Sequence, residues 1–107
     1  MEDKEFEDLS ARMLARIDAA LEDCGLDIDV SEIGGGVLQV DFEDGSQIVI
    51  NRHSAAREIW VAARAGGYHF RFDGEQWVDT RTGGQLVELL SRLLSQQAGE
   101  DCRLDLG

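Results

Sequence analysis

The stretch IWVAARAGGYHFRF, from Ile59 to Phe72, constrains this chain more than any other. It holds two alternating apolar runs, Ile59, Val61, Ala63 and Tyr68, Phe70, Phe72, joined by Arg64-Ala65-Gly66-Gly67. That pattern predicts a β-hairpin at the middle of an antiparallel sheet. Successive side chains leave a strand on opposite sides. If Ile59, Val61 and Ala63 enter a core, Trp60 must stand on the other face with Glu58 and Ala62. A large aromatic on the polar face of a sheet has two readings, incidental exposure or an anchor for a partner.

Helical periodicity flanks this sheet at both ends of the chain. Residues 3–24 repeat Phe6, Leu9, Met13, Ile17, Ala20, Leu21 and Cys24 at three- and four-residue spacing, which predicts an amphipathic helix stopping at Gly25. Glu7, Asp18 and Glu22 project from the side away from that stripe, with Asp3 and Asp8 on its flanks. A second helix is predicted from about Gly84 to Ala98, with Leu86, Leu89, Leu90, Leu93, Leu94 and Gln97 on one face, Thr82 as N-cap and Gly99 as its end. The tail carries Cys102, Leu104 and Leu106 and is expected to pack back over the helices.

Between the helices the period is two. Ile28 and Val30 alternate with Asp27, Asp29 and Ser31, the pattern of an edge strand whose acids also block sheet-to-sheet pairing. Leu38, Val40 and Phe42 follow, then a turn at Glu43-Asp44-Gly45-Ser46, then Ile48 and Ile50. A short strand from Gln76 to Asp79 follows the hairpin. The expected fold is α+β: a two-layer α/β sandwich with two terminal helices on one face of an antiparallel sheet of about six strands, one domain over residues 1–107. The open face would carry Gln39, Asp41, Gln47, Val49, Asn51, Glu58, Trp60, Ala62, His69 and Arg71, with Trp60 central to a contact patch.

Charge narrows the function. The net charge is −12, and residues 1–32 hold eleven acids against Lys4, Arg12 and Arg16. Such a surface repels phosphate backbones and anionic lipids, so nucleic acid and membrane are not expected partners, whereas cations and basic protein patches are. The acidic N-terminus lacks the basic character of a signal or transit peptide, and Cys24 and Cys102 lie in no CxxC pair, so the chain reads as a cytoplasmic protein with reduced thiols.

Enzymatic chemistry finds no support in the motifs. The cysteines have no histidine-based triad context, and Gly34-Gly35-Gly36 enters a strand without GK[ST], unlike a phosphate loop. A calcium hand starting at Asp27 fails, with Glu32 in place of the required glycine and Leu38 in place of the bidentate glutamate. What remains is an exposed surface of carboxylate oxygens, which suits hard cations bound weakly with many waters retained.

The acidic first helix, the run GGVLQVDFEDGSQIVINR from Gly35 to Arg52, the run EIWVAARAGGYHF from Glu58 to Phe70, Trp77, and LVELLSRLL from Leu86 together resemble the frataxin family in its bacterial, CyaY-type form. The resemblance covers essentially the whole chain. It implies the sandwich fold already described, iron (Fe²⁺ or Fe³⁺) bound weakly by carboxylates, and work in iron–sulfur cluster assembly alongside a cysteine desulfurase and its scaffold protein. Carried onto this sequence, it implies iron contacts at Asp18, Glu22, Asp23, Asp27 and Asp29, with Asp3, Glu7 and Glu43 as outer candidates. It further implies that Asn51, Trp60 and the rim carrying Arg52, His69 and Arg71 meet protein partners. The sequence departs from relatives at Ala19, Glu7 and His53, and its loop Ser54-Ala55-Ala56 lacks a proline common among them.

The expectation is thus a monomeric, non-enzymatic iron-binding regulator or assistant of cluster assembly. The alternatives are a ferroxidase or iron-storage protein, and an adaptor whose metal binding is incidental.

Overall fold

The structure, a computed structural model, describes residues 1–106; Gly107, the last residue of the span expected to fold as one domain, lies outside the described residues. The chain runs α1 (Asp3–Glu22), β1 (Ile28–Ile33), β2 (Val37–Phe42), β3 (Gln47–His53), β4 (Glu58–Ala63), β5 (Gly66–Phe72), β6 (Trp77–Asp79) and α2 (Leu86–Ala98). The strands form one antiparallel sheet in the order β1-β2-β3-β4-β5-β6. Both helices cover the same face of that sheet, which is the expected two-layer α+β sandwich. Among the described residues no helix is long and apolar enough to cross a membrane.

Alternation decides which sheet face is dry. Leu38, Val40 and Phe42 of β2, Ile48 and Ile50 of β3, Ile59 and Val61 of β4, and Phe70 of β5 are all buried. The register stacks them across the sheet, with Leu38 opposite Ile50, Val40 opposite Ile48 and Ile59 opposite Phe70. From the helices, Phe6, Leu14, Ile17 and Leu21 of α1 and Leu86, Leu90, Leu93 and Leu94 of α2 close over them. Phe6 meets Trp77 of β6 edge-on, with ring centroids 6.0 Å apart.

Three details differ from the sequence reading. The buried stripe of α1 is centred on Phe6, Ser10, Leu14, Ile17 and Leu21, leaving Leu9 and Met13 at its margin; Ser10 is tolerated inside because its hydroxyl donates to the Glu7 carbonyl at 3.3 Å. That helix stops at Glu22, before Gly25, because the Asp23 N–H already bonds to the Ala20 carbonyl at 3.2 Å and Gly25 turns the chain away with φ 77°. Thr82 does not cap α2. Its hydroxyl donates to Asp79 Oδ2 at 3.1 Å, and Gln85 holds the N-cap position without a side-chain cap bond.

The tail packs over the helices as expected. Leu104 is buried, its N–H donating to the Ser91 hydroxyl at 2.9 Å, and the Leu106 carbonyl accepts from Arg16 Nη2 at 2.8 Å.

Phe70 contributes one of the largest fully buried side chains, at the centre of the sheet. Phe70→Ala should therefore lower the unfolding free energy by about 3–5 kcal/mol, measured by urea denaturation with the slope m unchanged.

Candidate functional site

Two surfaces carry the sequence-predicted residues. The first is acidic, along α1 and the edge strand β1. At its N-terminal end two carboxylates, those of Asp3 and Glu7, are paired with arginines, whereas Glu2, Glu5 and Asp8 have no side-chain partner among the described residues. Glu7 Oε2 accepts from Arg52 Nη1 at 2.9 Å and Glu7 Oε1 from the Ser54 hydroxyl at 2.7 Å, while Asp3 Oδ1 accepts from Arg57 Nη2 at 2.8 Å. Arg57 takes a left-handed backbone, φ 54°, in the turn between β3 and β4, a conformation costly for a residue with a Cβ. These pairs tie the β3–β4 turn to the start of the helix.

Towards the other end of α1 no arginine reaches the acids. Asp18, Glu22, Asp23 and Asp29 have no side-chain ion pair or hydrogen bond among the described residues. The last turn of α1 has no basic residue, so Glu22 and Asp23 sit at the negative end of the helix dipole without compensation. Asp18 and Glu32 line a cleft between α1 and the Gly35–Gly36 turn, whose floor includes Arg52. Asp27 and Glu43 line a second cleft together with Asp44 and Glu100. Asp18, Glu32, Asp27 and Glu43 thus border two clefts, while Glu22, Asp23 and Asp29 lie outside both.

Asp27 and Glu43 interact directly. A hydrogen bond from the Glu43 carboxyl to Asp27 raises the Glu43 pKa above its ordinary value, and the negative charge of Asp27 adds to the rise. Asp44, next in sequence, is held low, at about 2, by the Ser46 hydroxyl, then the Ser46 N–H, then Arg64. Nowhere among the described residues do three histidine, cysteine or acidic side chains converge into a chelating group. A cation on this surface would keep much of its water.

The second surface is the open sheet face, organised by a stack the sequence did not reveal. Trp60 lies between two imidazoles, His53 at 3.8 Å and 11° on one side and His69 at 4.4 Å and 9° on the other. Below them Glu58 is only 7% exposed, although it stands on the face turned from the helices. Its burial is compensated. Oε1 accepts from Trp60 Nε1 at 2.8 Å and Oε2 from Arg71 Nη2 at 3.0 Å, with His69 Nδ1 3.7 Å from Oε1. Trp60 is therefore a fixed, half-buried plate, with Asn51 directly across from it on β3.

Arg52 belongs elsewhere. The resemblance put it on the partner-binding rim, but its position in β3 has the parity of Ile48 and Ile50, so its side chain turns to the helix layer and reaches Glu7 and the Gly35 carbonyl. Parity also holds the signal for the residue that was missed. His53 shares the parity of Asn51, and extending β3 two residues past Asn51 brings it onto the open face beside Trp60.

A sequence model of the frataxin-like domain matches residues 1–100 of the chain. The iron–sulfur cluster assembly protein CyaY of Dechloromonas aromatica is 60% identical over 100 residues, covering 94% of this chain and 95% of that one. The protein of the same name from Cupriavidus taiwanensis is 48% identical over 103 residues, 92% of each chain. Among solved structures, frataxin from Psychromonas ingrahamii superposes with a TM-score of 0.88 at 28% identity, covering 100% of this chain and 99% of that one. Trimeric yeast frataxin complexed with ferrous iron shares the fold, with a TM-score of 0.56 at 24% identity over 94% of this chain and 88% of that one.

Two outcomes check the geometry of these surfaces. Asp27→Asn should lower the Glu43 pKa, followed by NMR of the Glu43 carboxyl carbon through an acid titration. Replacing both His53 and His69 by alanine should cost about 1–2 kcal/mol of stability and raise the acrylamide quenching of Trp60, with Trp77 remaining shielded.

Proposed function

Because the chain belongs to the frataxin family in its bacterial form, we propose that it is a non-enzymatic iron-binding protein of iron–sulfur cluster assembly, docking a cysteine desulfurase and the cluster scaffold through its acidic surface and its open sheet face. The relatives from Dechloromonas and Cupriavidus are named for cluster assembly, which supports the process. The observation that carries the molecular reading is the run of unpaired acids from the end of α1 into β1, with no basic residue in the last turn of the helix. Asp3 and Glu7 are neutralised by arginines, whereas Asp18, Glu22, Asp23 and Asp29 have no such partner among the described residues.

Carboxylates left uncompensated at a helix C-terminus attract positive charge of two kinds. Iron is a hard cation that carboxylate oxygens suit, and Asp18, Glu22, Asp23, Asp27, Asp29 and Glu43 would hold it loosely with waters completing its shell. Asp3 and Glu7 contribute to the field while remaining engaged with Arg57 and Arg52. A basic patch on a protein is the second kind, and the same field would steer its approach, with salt weakening both.

The sheet face supplies a different contact. Trp60, held rigid by His53, His69 and Glu58, presents the edge of a stack of three rings with little side-chain entropy left to lose, the property of an interface anchor. Asn51, His69 and Arg71 surround it with polar groups. The proposal places the protein as a monomer in the cytoplasm, where the assembly machinery operates.

The test is the variant in which Asp18, Glu22 and Asp23 are all changed to lysine, with circular dichroism confirming its fold. Affinity for the cysteine desulfurase should fall at least about tenfold, and the effect of the protein on sulfur release should disappear with it. Regulation unchanged by three charge reversals would remove the docking role.

A further inference from the structure

An open sheet has two edges, and this one leaves them in unlike states. β6 is three residues long, Trp77–Asp79, and the chain that follows folds back on it: Gln85 bridges to Val78, and the Asp79 N–H donates to the Gly84 carbonyl at 2.7 Å. β1 is six residues long, holds neither proline nor glycine, and has no strand beyond it. Its outer edge is the one place where the sheet could grow.

The ladder tells which backbone groups of β1 are unspent. Phe42 of β2 is bonded on the β3 side, its N–H donating to the Ser46 carbonyl at 2.9 Å and its carbonyl accepting from Gly45 at 3.0 Å. The Gly36 carbonyl likewise accepts from the Arg52 N–H at 2.9 Å. The N–H and C=O of one residue leave a strand on the same side and successive residues alternate, so even-numbered β2 residues pair with β3 and odd-numbered ones with β1. Asp29, Ser31 and Ile33, opposite Asp41, Gln39 and Val37, therefore bond inward, and Ile28, Val30 and Glu32 turn their backbone to the free edge. The Ile28 N–H is taken by the Leu26 carbonyl at 3.1 Å, but the groups of Val30 and Glu32 have no partner there among the described residues.

Charge decides what can occupy that edge. Asp29, on the open face, stands opposite Asp41, and Glu32, on the helix side, borders a cleft with Asp18, so both sides of the edge are negative. A second copy of the chain laid there would set these carboxylates against themselves. Ile33, 49% exposed, offers an apolar contact at the end of the strand. We propose that β1 is a docking edge for an extended, lysine- or arginine-bearing segment of a partner protein, which adds a strand to the sheet through the backbone groups of Val30 and Glu32. This rests on the reading of the acidic surface as a face for a basic protein and adds to it a hydrogen-bonded ladder, which fixes the direction and register that charge alone leaves open. The same acids then have two effects, refusing self-association and selecting a positively charged strand.

The probe is an octapeptide of alternating lysine and valine, blocked at both ends and titrated into the full-length protein in low-salt buffer, with amide exchange followed by NMR. With the peptide bound, the Val30 and Glu32 amides should exchange at least about tenfold more slowly, while Ser31, already paired with Gln39, should change far less. The same peptide N-methylated at two adjacent central residues keeps its charge but has both of its edges spoiled, and its affinity should be at least about tenfold lower. In a variant carrying Asp29→Lys and Glu32→Lys the preference should invert, a glutamate–valine peptide binding in place of the lysine one. Equal affinity of the plain and N-methylated peptides would overturn the proposal while leaving the charge-based docking of the acidic surface intact. No binding, protection confined to residues outside β1, or a folded variant that still takes the lysine peptide would overturn it as well. The wild-type arms stand whether or not the variant folds.

Discussion

Burial of the alternate side chains of β2, β3, β4 and β5 beneath two helices fixes where every other group can go. A strand has only two sides, so committing Leu38, Val40, Ile48, Ile50, Ile59, Val61 and Phe70 to the dry face sends Gln39, Asn51, Trp60 and His69 to the wet one. No one-residue slip of register is available without turning the core outward. The position of Trp60 opposite Asn51 and His69 is thus a by-product of hydrophobic burial on the far side of the sheet.

That rigidity is what lets an ionisable group be buried on the wet face. Glu58 satisfies its oxygens with Trp60 and Arg71, and the two imidazoles complete the cover. A carboxylate so enclosed is tolerated only because its donors are held in place by the strands. The sheet face and the acidic surface rest on opposite principles. Around Trp60 the buried charge of Glu58 is partnered and the ring is clamped between imidazoles, whereas at the end of α1 charge is displayed and partners are withheld.

Local periodicity made most of this fold legible. The two-residue period of Leu38-Val40-Phe42 and of Ile59-Val61 placed those strands and their inner faces correctly, because in each case all the apolar side chains fall on one side. The helix stripe was read one residue off at two positions, with Phe6, Ile17, Ala20 and Leu21 correctly placed. Ser10 is small enough, and locally bonded enough, to be buried where apolarity alone would have put Leu9 and Met13. Contacts distant in sequence left no local trace. Arg52 with Glu7 and Arg57 with Asp3 join elements whose approach depends on tertiary packing, and so two acids at the start of the helix turned out to be paired from β3 and the β3–β4 turn. Thr82 was misread for a local reason, since Asp79, three residues earlier, captures its hydroxyl before the helix begins.

The finish of α1 leaves the molecule below the stability it could reach. Helix ends ordinarily collect lysine or arginine, and this one carries Glu22 and Asp23 with no basic residue in the last turn. Mass action makes that deficit recoverable, since any species that settles there in the folded chain and not in the unfolded one returns free energy in proportion to the logarithm of its concentration. Where a cation settles there, the equilibrium stability of the folded chain rises with the supply of positive charge around it.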